Sequence, residues 1–561
     1  MGGEGMTGVD PAAALAAAAA ARAAGERPVW IRLLDDEEIH EWVNRAGDGP
    51  LAGMPFAIKD NLDLAGVPTT GGWPKRDVSA ESTATAVARL IDAGAVPVGK
   101  TNLDQFATGL VGTRSPYGAV PAVGRPELIG GGSSSGSAAA VAAGLVPLAL
   151  GTDTAGSGRV PAGFNGLVGV KPTRGLVSTS GLLPACRSLD CVTTLTRTVA
   201  EARVALDVLV AHDPADPWSR RRPLLPPARV PKELNVVGVP SGAIDLDPAY
   251  ADAWERTLSR ARSSLQVVEV DVAPFLAAAR LLYGGPWVAE RFAAVGEWLA
   301  TDDGDLDPTV RAIVLGGSEI SAVDAFHGFA ELQALCATVD PMWDWLDALL
   351  LPTAPTHPTL AEVAADPVGV NARLGTYTNF VNLMDLCAVA VPGEPGEDGR
   401  SFGVQLIAPA FADAALLGLA ARWCGEEVQP PPTPASAQVV VCGAHLTGMA
   451  MNHQLLGLGA RLVRRTRTAP GYRMYALPDG RRPGIVFTGD GPERGLDVEV
   501  WELSDDALGA LLRSIASPLG LGTVVLADGG GVPGFLAEAH RLGDASEITA
   551  HGGWRSYVAG G

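Results

Sequence analysis

A serine in the segment GTDTAGSGRVPAG, residues 151–163, has the surroundings of a catalytic nucleophile. Ser157 lies among small residues and turn formers, which leave its hydroxyl and the neighbouring backbone amides open to a substrate. Histidine is the usual base for such a serine, but no histidine occurs between His40 and His212. Two alternatives remain at this point: a loop serine without chemistry, or a nucleophile that another residue activates.

Lysine can replace histidine as the base when it is buried. Lys59 ends an apolar, strand-like run in GMPFAIKDNLDLAG. Burial disfavours the charged ammonium and can lower a lysine pKa by about 3 units or more, which leaves a neutral amine able to accept a proton. A lysine taken alone is more often a solvated side chain, so this interpretation depends on what accompanies it.

A serine cluster offers a relay between a distant lysine and Ser157. In GGGSSSGSAAAVAAG, residues 130–144, glycines lead into three serines, the first of which is Ser133, and then into an alanine-rich helix. A hydroxyl of this cluster could pass the proton from Ser157 to Lys59. The small residues before Ser157 would offer their amides as an oxyanion hole. The co-occurrence of these three segments favours serine–lysine hydrolytic chemistry.

These segments resemble the amidase signature family, as do GKTNLDQFATG from Gly99 and LLLPTAPTHP from Leu349. The resemblance spans roughly residues 50–425. It implies a Ser–cis-Ser–Lys triad whose nucleophile and bridging serine are 24 positions apart, as are Ser157 and Ser133. The implied roles are nucleophile for Ser157, bridging serine on a cis peptide bond for Ser133, and base for Lys59.

The same resemblance implies the oxyanion hole and the course of the reaction. The amides of Thr154, Ala155, Gly156 and Ser157 would bind the oxyanion, although the family commonly has a second glycine at the position of Ala155. The triad hydrolyses an amide through an acyl-enzyme, and neither a metal ion nor an organic cofactor is expected. Six scattered cysteines without CxxC spacing suit reduced core thiols better than a zinc site.

Residues 281–295, LLYGGPWVAERFAAV, contain the candidates for substrate choice. The segment is predicted to be helical, with Tyr283 and Arg291 eight positions apart. Taken alone, it favours an amphipathic helix with Trp287 in the core and Arg291 in solvent. Together with NFVNLMDLCAVAVP from Asn379 and the C-terminal segments, it resembles the allophanate hydrolases. That resemblance implies that Arg291 binds the carboxylate of allophanate (urea-1-carboxylate) and that Tyr283 orients its amide.

Residues 437–561 are predicted to form a small β-rich domain, because short strand-like runs surround a single helix pattern, SDDALGALLRSI. VCGAHLTGMAMNHQL and YRMYALPDGRRPGIV resemble the C-terminal domain of the allophanate hydrolases, whose fold is like γ-glutamylcyclotransferase. His445 is the candidate catalytic residue of this domain, for decarboxylation of the first product. A structural histidine is the alternative for the residue, and a module for assembly is the alternative for the domain.

The elements that must position these residues predict an α/β architecture. Residues 1–50 are predicted to be an N-terminal helical arm, because residues 11–24 consist mainly of alanine. Short apolar runs alternate with helical patterns over residues 51–428, which predicts a mixed β-sheet sandwiched by helices. Four prolines within residues 429–436 predict a semi-rigid linker to the β-rich domain.

The composition restricts the partners. A formal charge of −20 argues against nucleic acid or an anionic membrane as a partner, whereas a small anionic substrate needs only one dedicated cation. The N-terminus lacks the basic region of a signal peptide, and glycine and proline interrupt the longest apolar run, so we expect a cytoplasmic protein. We also expect a homodimer, with urea carboxylase as a functional partner.

The predicted function is hydrolysis of allophanate to ammonia and CO2, in nitrogen assimilation from urea or s-triazines. One alternative is another amidase-signature hydrolase, such as a malonamidase-like or broad aliphatic amidase. A second alternative is the glutaminase subunit of a tRNA amidotransferase. The additional C-terminal domain and the acidic charge count against this second alternative.

Overall fold

The computed structural model describes residues 11–25, 28–221, 234–301, 304–427 and 436–560. The chain divides into two compact units, and the main boundary between them falls at residues 430 and 431. All but the last residue of the predicted linker, 429–436, lies outside the described residues.

Within the described part of the first unit, eleven strands form one sheet and two more form a short hairpin. The strands are β1 Trp30–Leu33, β2 Pro55–Lys59, β3 Val96–Thr101, β4 Pro121–Ala122, β5 Arg125–Ile129, β6 Leu148–Asp153, β7 Val168–Lys171, β8 Cys191–Thr196, β9 Val236–Pro240, β10 Gln266–Val270, β11 Ala348–Pro352, β12 Leu386–Pro392 and β13 Gly403–Pro409. Strands β4 and β5 make the hairpin.

The strand order across the large sheet is β1-β3-β2-β6-β8-β7-β12-β13-β11-β9-β10. β2 is parallel to both β3 and β6, whereas β6 is antiparallel to β8. The predicted mixed sheet is therefore confirmed. Because β2 and β6 are parallel neighbours, their carboxyl ends lie at the same edge of the sheet. Lys59 ends β2, and the segment with Ser157 follows β6, so the topology brings these two residues to one edge.

Helices cover both faces of this sheet, as predicted. Alternate residues of β11 belong to different apolar clusters, with Leu350 in one and Leu349 in the other. Successive side chains of a strand point to opposite faces, so each cluster marks one covered face. The helices are α1 Ala12–Ala23, α2 Asp36–Arg45, α3 Thr85–Asp92, α4 Ser135–Ala142, α5 Arg159–Phe164, α6 Val199–Leu209, α7 Pro248–Ser264, α8 Ala273–Gly284, α9 Trp287–Arg291, α10 Glu297–Thr301, α11 Pro308–Gly316, α12 Ala322–Val339, α13 Leu360–Ala365, α14 Gly369–Leu374, α15 Asn379–Leu383 and α16 Asp413–Cys424.

The described part of the first fifty residues belongs to the first unit and contains α1, β1 and α2. Helix α1 buries Ala14 and Ala18 in the larger apolar core. Strand β1 pairs antiparallel with β3 and forms an edge of the sheet. Its sequence, WIRL, is only four residues long, which is too short for a periodic signal that would reveal the strand.

The second unit is rich in short strands, which confirms the predicted β-rich domain. Its described strands form a five-stranded sheet of order β15-β18-β14-β20-β19 and a three-stranded sheet of order β17-β16-β21. The elements are β14 Ser436–Val441, α17 Asn452–Gly457, β15 Arg461–Arg467, β16 Tyr472–Ala476, β17 Pro483–Phe487, β18 Asp497–Ser504, α18 Asp505–Ser514, β19 Leu519–Val525, β20 Gly531–Ala537, β21 Ser546–Glu547 and α19 Trp554–Gly560.

No helix within the described ranges is long and apolar enough to cross a membrane. The same ranges contain no group of three or more His, Cys, Asp or Glu side chains that could hold a metal ion.

Candidate active site

Lys59 lies at the buried carboxyl end of β2 and is surrounded by hydroxyl groups. Its Nζ donates hydrogen bonds to Ser133 Oγ at 2.8 Å, Ser134 Oγ at 3.0 Å and Thr152 Oγ1 at 2.8 Å. The side chain is fully buried. No carboxylate oxygen of the described residues lies within 4.0 Å of this nitrogen. Hydroxyl oxygens stabilise an ammonium less than a carboxylate does, so little opposes its deprotonation.

Burial lowers the pKa of Lys59 to about 7. Desolvation is the main cause, and it is partly opposed by the more distant charges of Asp104, Asp153 and Asp190. A base needs a pKa near the working pH, so that a useful fraction is neutral and ready to accept a proton. Lys59 meets this requirement without a histidine.

Ser133 joins Lys59 to the loop before α4. The peptide bond between Gly132 and Ser133 is cis, as the resemblance implied. The carbonyl of Ser133 accepts a hydrogen bond from the Asp104 amide at 3.2 Å, and the next amide, of Ser134, donates to the Ser157 carbonyl at 3.2 Å. The structure thus brings Lys59 and Ser133 into direct contact and holds the Ser157 backbone beside them.

Ser157 lies in the turn between β6 and α5 and is almost fully buried. Its Oγ donates to the Gly109 carbonyl at 3.5 Å, a long and therefore weak hydrogen bond. Among the described residues, no hydrogen bond joins Ser157 Oγ to Ser133. The structure therefore shows the lysine–serine half of the expected relay, and the second half requires rotation of the Ser157 side chain away from Gly109.

The amides before Ser157 are not equivalent. The Gly156 amide donates to Asp153 Oδ1 at 2.8 Å, so it is engaged within the turn and differs from the expected free oxyanion donor. The amides of Thr154, Ala155 and Ser157 make no hydrogen bond to another described residue. These three amides can therefore donate to a substrate oxygen, whereas the Gly156 amide stabilises the turn through Asp153.

A buried ion pair that sequence reasoning missed supports this turn. Arg159 Nε and NH2 donate to the two carboxylate oxygens of Asp153 at 2.9 Å each, and both side chains are fully buried. Further guanidinium bonds go to Gln405 Oε1 at 2.7 Å and Asn382 Oδ1 at 3.0 Å. Two charged residues six positions apart within a small-residue segment were the available signal, GTDTAGSGR.

Tyr283 and Arg291 come together although they lie on different helices. α8 ends at Gly284 and α9 begins at Trp287, so the segment predicted as one helix contains a break. The Arg291 guanidinium carbon lies 5.6 Å from the centre of the Tyr283 ring. Trp287 is in the core, as the amphipathic pattern predicted, but Arg291 is only 3% exposed and is not in solvent.

Among the described residues, the Arg291 guanidinium has one hydrogen bond, from NH1 to Thr108 Oγ1 at 3.1 Å, and no ion pair. Thr108 directly precedes Gly109, the residue that contacts Ser157. The loop of Thr108 and Gly109 therefore contacts both Arg291 and Ser157. Asp190 is also nearby, and burial raises the pKa of its carboxyl to about 6. Thr154 Oγ1 donates to this carboxyl. Sequence reasoning missed Thr108, Gly109 and Asp190.

His445 lines a small pocket of the second unit, of about 40 Å³. Its Nε2 lies 3.0 Å from Gln454 Oε1, and its ring stacks on Phe535 with centres 5.0 Å apart. Burial lowers the pKa of His445, which favours the neutral ring. Arg482 and Ser514 also line the pocket. The pocket has the polar groups of a binding site, and the stacked ring equally suits a packing role.

Known proteins resemble the chain over both units. The amidase family matches residues 33–417, and the allophanate hydrolase C-terminal domain matches residues 437–559. The urea amidolyase of Lachancea kluyveri is 39% identical over 96% of this chain but only 32% of its own length, so the chain spans about a third of that relative. A glutamyl-tRNA(Gln) amidotransferase subunit from Natronomonas pharaonis is 36% identical, over 67% of this chain and 96% of its own.

A solved structure of the Kluyveromyces lactis allophanate hydrolase shares 37% identity with the chain. It aligns with a TM-score of 0.74 over 98% of this chain and 97% of its own. The amidotransferase protein matches only two thirds of the chain, whereas this structure matches both units. The chain therefore belongs to the amidase family and, within that family, to the allophanate hydrolases.

Proposed function

We propose that this protein hydrolyses allophanate with Ser157 as the nucleophile. The observation that carries the proposal is the buried guanidinium of Arg291, which has no ion pair among the described residues and contacts Thr108, the residue before the Gly109 carbonyl that Ser157 contacts. A buried cation is costly unless an anion completes it. The carboxylate of allophanate would do so, at the far end of the substrate from the amide that is cut.

The chemistry begins with proton transfer. Ser157 turns from the Gly109 carbonyl toward Ser133, and neutral Lys59 takes the proton through the Ser133 hydroxyl. Ser157 Oγ attacks the terminal carboxamide carbon, and the amides of Thr154, Ala155 and Ser157 stabilise the oxyanion. The proton returns to the leaving nitrogen, ammonia departs, and an acyl-enzyme remains.

Water then attacks the acyl-enzyme by the same proton route and releases N-carboxycarbamate. Both carboxylate groups of that product leave as CO2 and its nitrogen becomes the second ammonia, so allophanate, one water and one proton give two ammonia and two CO2. His445 is a candidate for assisting the decarboxylation, and spontaneous loss of CO2 with an assembly role for the second unit is the alternative. Deletion of residues 437–561 distinguishes the two, because only the first predicts an altered product ratio.

Urea carboxylase remains the proposed functional partner, because it would supply allophanate. The chain covers about a third of the urea amidolyase it matches, which leaves room for a supplying activity in the longer protein. A cytoplasmic homodimer remains the proposed setting.

Substitution Ser157→Ala tests the proposal directly. We expect ammonia release from allophanate to fall by at least ~1000-fold, because nucleophile and proton relay act as one unit. Ser137→Ala is a matched control, since the hydroxyl of this buried serine hydrogen-bonds to Thr101 Oγ1 and the Leu150 carbonyl and has no hydrogen bond to Lys59. Normal turnover in the Ser157 variant would refute the mechanism. A wild-type enzyme that cleaves malonamide or glutamine but not allophanate would favour one of the other amidase or glutaminase activities.

A further inference from the structure

Thr108 contacts the Arg291 guanidinium and directly precedes the residue that contacts the Ser157 hydroxyl. Its Oγ1 accepts the hydrogen bond from Arg291 NH1 at 3.1 Å. The next residue, Gly109, accepts the hydrogen bond from Ser157 Oγ at 3.5 Å. Two consecutive residues thus contact the proposed carboxylate-binding group and the proposed nucleophile. The backbone of this loop sets the separation between them.

The Thr108 hydroxyl is oriented by a second hydrogen bond. Oγ1 donates its single proton to the Phe106 carbonyl at 3.2 Å. A hydroxyl has one proton and two lone pairs, so this bond leaves the lone pairs for the Arg291 guanidinium. Thr108 is buried, and water therefore does not compete for either bond. The hydroxyl acts as a fixed acceptor for Arg291.

The loop before Thr108 has an uncommon backbone conformation. Phe106 and Ala107 have φ of 50° and 52°, in the left-handed region that non-glycine residues seldom adopt. Such residues persist where the surroundings enforce them, often at functional sites. Both residues are hydrogen-bonded in this conformation, since the Phe106 amide donates to the Gly71 carbonyl at 2.8 Å and the Ala107 amide to the Asp104 carbonyl at 2.9 Å. The preceding side chain is anchored as well, with Gln105 Nε2 donating to the Gly72 carbonyl at 2.9 Å.

We propose that Thr108 is a positioning residue that fixes the Arg291 guanidinium for a carboxylate-bearing substrate, and that it thereby sets the preference of the site for anionic over neutral amides. This inference rests on the proposed function. Among the described residues, the one hydrogen-bond acceptor of the guanidinium is this neutral hydroxyl, and the buried Asp190 carboxyl interacts with Arg291 through charge without forming an ion pair. A carboxylate at this position would have fixed Arg291 too, but it would have competed with the substrate.

The test compares the full-length wild type with Thr108→Val, which keeps the shape and removes the acceptor, and with Thr108→Ser, which keeps the hydroxyl. The measurements are kcat and KM for allophanate and for malonamide, a neutral diamide, together with the Kd of malonate by calorimetry. Thr108→Ala takes the place of the valine variant if valine prevents folding, as judged by the thermal unfolding midpoint.

We expect Thr108→Val to lower the ratio of kcat/KM for allophanate to that for malonamide by about 10- to 100-fold, mainly through KM, because a hydrogen bond to a charged group is lost. Malonate binding should weaken by a similar factor, and Thr108→Ser should stay within about threefold of the wild type. An unchanged ratio and Kd in the valine variant overturn the inference, as does an equal loss on both substrates that serine does not restore. Absence of allophanate turnover in the wild type would refute the proposed function but not the role of Thr108. The malonate measurement then tests that role. Weaker malonate binding in Thr108→Val would support it, and equal binding would overturn it.

Discussion

The turn that contains Ser157 and the end of helix α9 each contain a buried arginine, Arg159 and Arg291. The two arginines differ in their hydrogen-bond and ion-pair partners. Arg159 is enclosed by acceptors, including both oxygens of Asp153 and the side-chain oxygens of Gln405 and Asn382. Within the described ranges, the Arg291 guanidinium has one hydroxyl acceptor and one aromatic ring as partners. Similar burial with unequal pairing distinguishes an arginine whose partners are all in the protein from one that, in the proposed function, binds the substrate carboxylate.

The same contrast holds for two lysines on neighbouring strands. Lys100 on β3 is as buried as Lys59 on β2, but its Nζ lies 3.0 Å from Asp60 Oδ1. Lys59 has only hydroxyl partners, and its pKa falls to about 7. In each of these two comparisons, the cation without a carboxylate partner, Arg291 or Lys59, is the one at the candidate site. Burial without an ion pair is not confined to them among the described residues, since Lys171 and Arg114 are also buried and donate to backbone carbonyls.

Removal of Arg159 should have the largest effect. Arg159→Met leaves the Asp153 carboxylate buried without its partner, which costs about 3–5 kcal/mol of unfolding free energy. Because Asp153 also holds the Gly156 amide, activity on every amide should be lost. Urea denaturation and ammonia release would measure both effects. Arg262→Ala is the control, since its exposed pair with Glu269 is worth less than about 1 kcal/mol. An unfolding free energy of Arg159→Met equal to that of the wild type would contradict the conclusion that Arg159 supports the fold.

Removal of Arg291 should affect function and not stability. Arg291→Met replaces an unpaired buried cation with an apolar side chain, so the unfolding free energy should be unchanged or higher. The selectivity ratio for allophanate over malonamide should fall by roughly 100-fold or more, because the charge-assisted bond to the carboxylate is lost. A destabilisation as large as that of Arg159→Met would show that both arginines serve the fold.

The sequence predicted the parts of this site that are local and missed those that depend on distant partners. Lys59, Ser133 and the mixed sheet follow from contiguous patterns. The partners of Arg159 are separated from it by 246 positions for Gln405 and 223 for Asn382, a distance across which no sequence periodicity acts. Burial of a charged residue is visible only once its acceptors are placed around it.

The substrate-binding segment shows the same limit. Residues 281–295 have a helical pattern, but the helix is interrupted between α8 and α9, next to Pro286. The break lets Tyr283 and Arg291 meet although a continuous helix would place residues eight positions apart more than two turns apart along its axis. The engaged amide of Gly156 is a further example, because its acceptor, Asp153, could not be assigned from the sequence alone.

The lowered pKa of Lys59 predicts the pH dependence of the reaction. Below a pKa of about 7 Lys59 is protonated and cannot act as base, so kcat/KM should rise tenfold per pH unit and level off above pH 7. Since the unfolded lysine titrates at 10.5, the unfolded state binds more protons between pH 7 and 10.5, and stability from this group should rise with pH in that window. Arg291→Met should keep the kinetic inflection with malonamide as substrate. A profile without inflection between pH 6 and 8 would contradict a lysine base.

The smallest expected effect concerns how Tyr283 contributes beside Arg291. Its ring face lies 5.6 Å from the guanidinium carbon, and no hydrogen bond of its hydroxyl to a described residue is present. Tyr283→Phe keeps the ring and should leave kcat/KM for allophanate within about threefold of the wild type, whereas Tyr283→Ala removes the cation–π contact, worth about 0.5–2 kcal/mol, and should cost up to about 30-fold. Steady-state kinetics on both variants measures the difference. A phenylalanine variant as impaired as the alanine one would mean that the hydroxyl binds the substrate directly, and Arg291 would then be held by Thr108 alone.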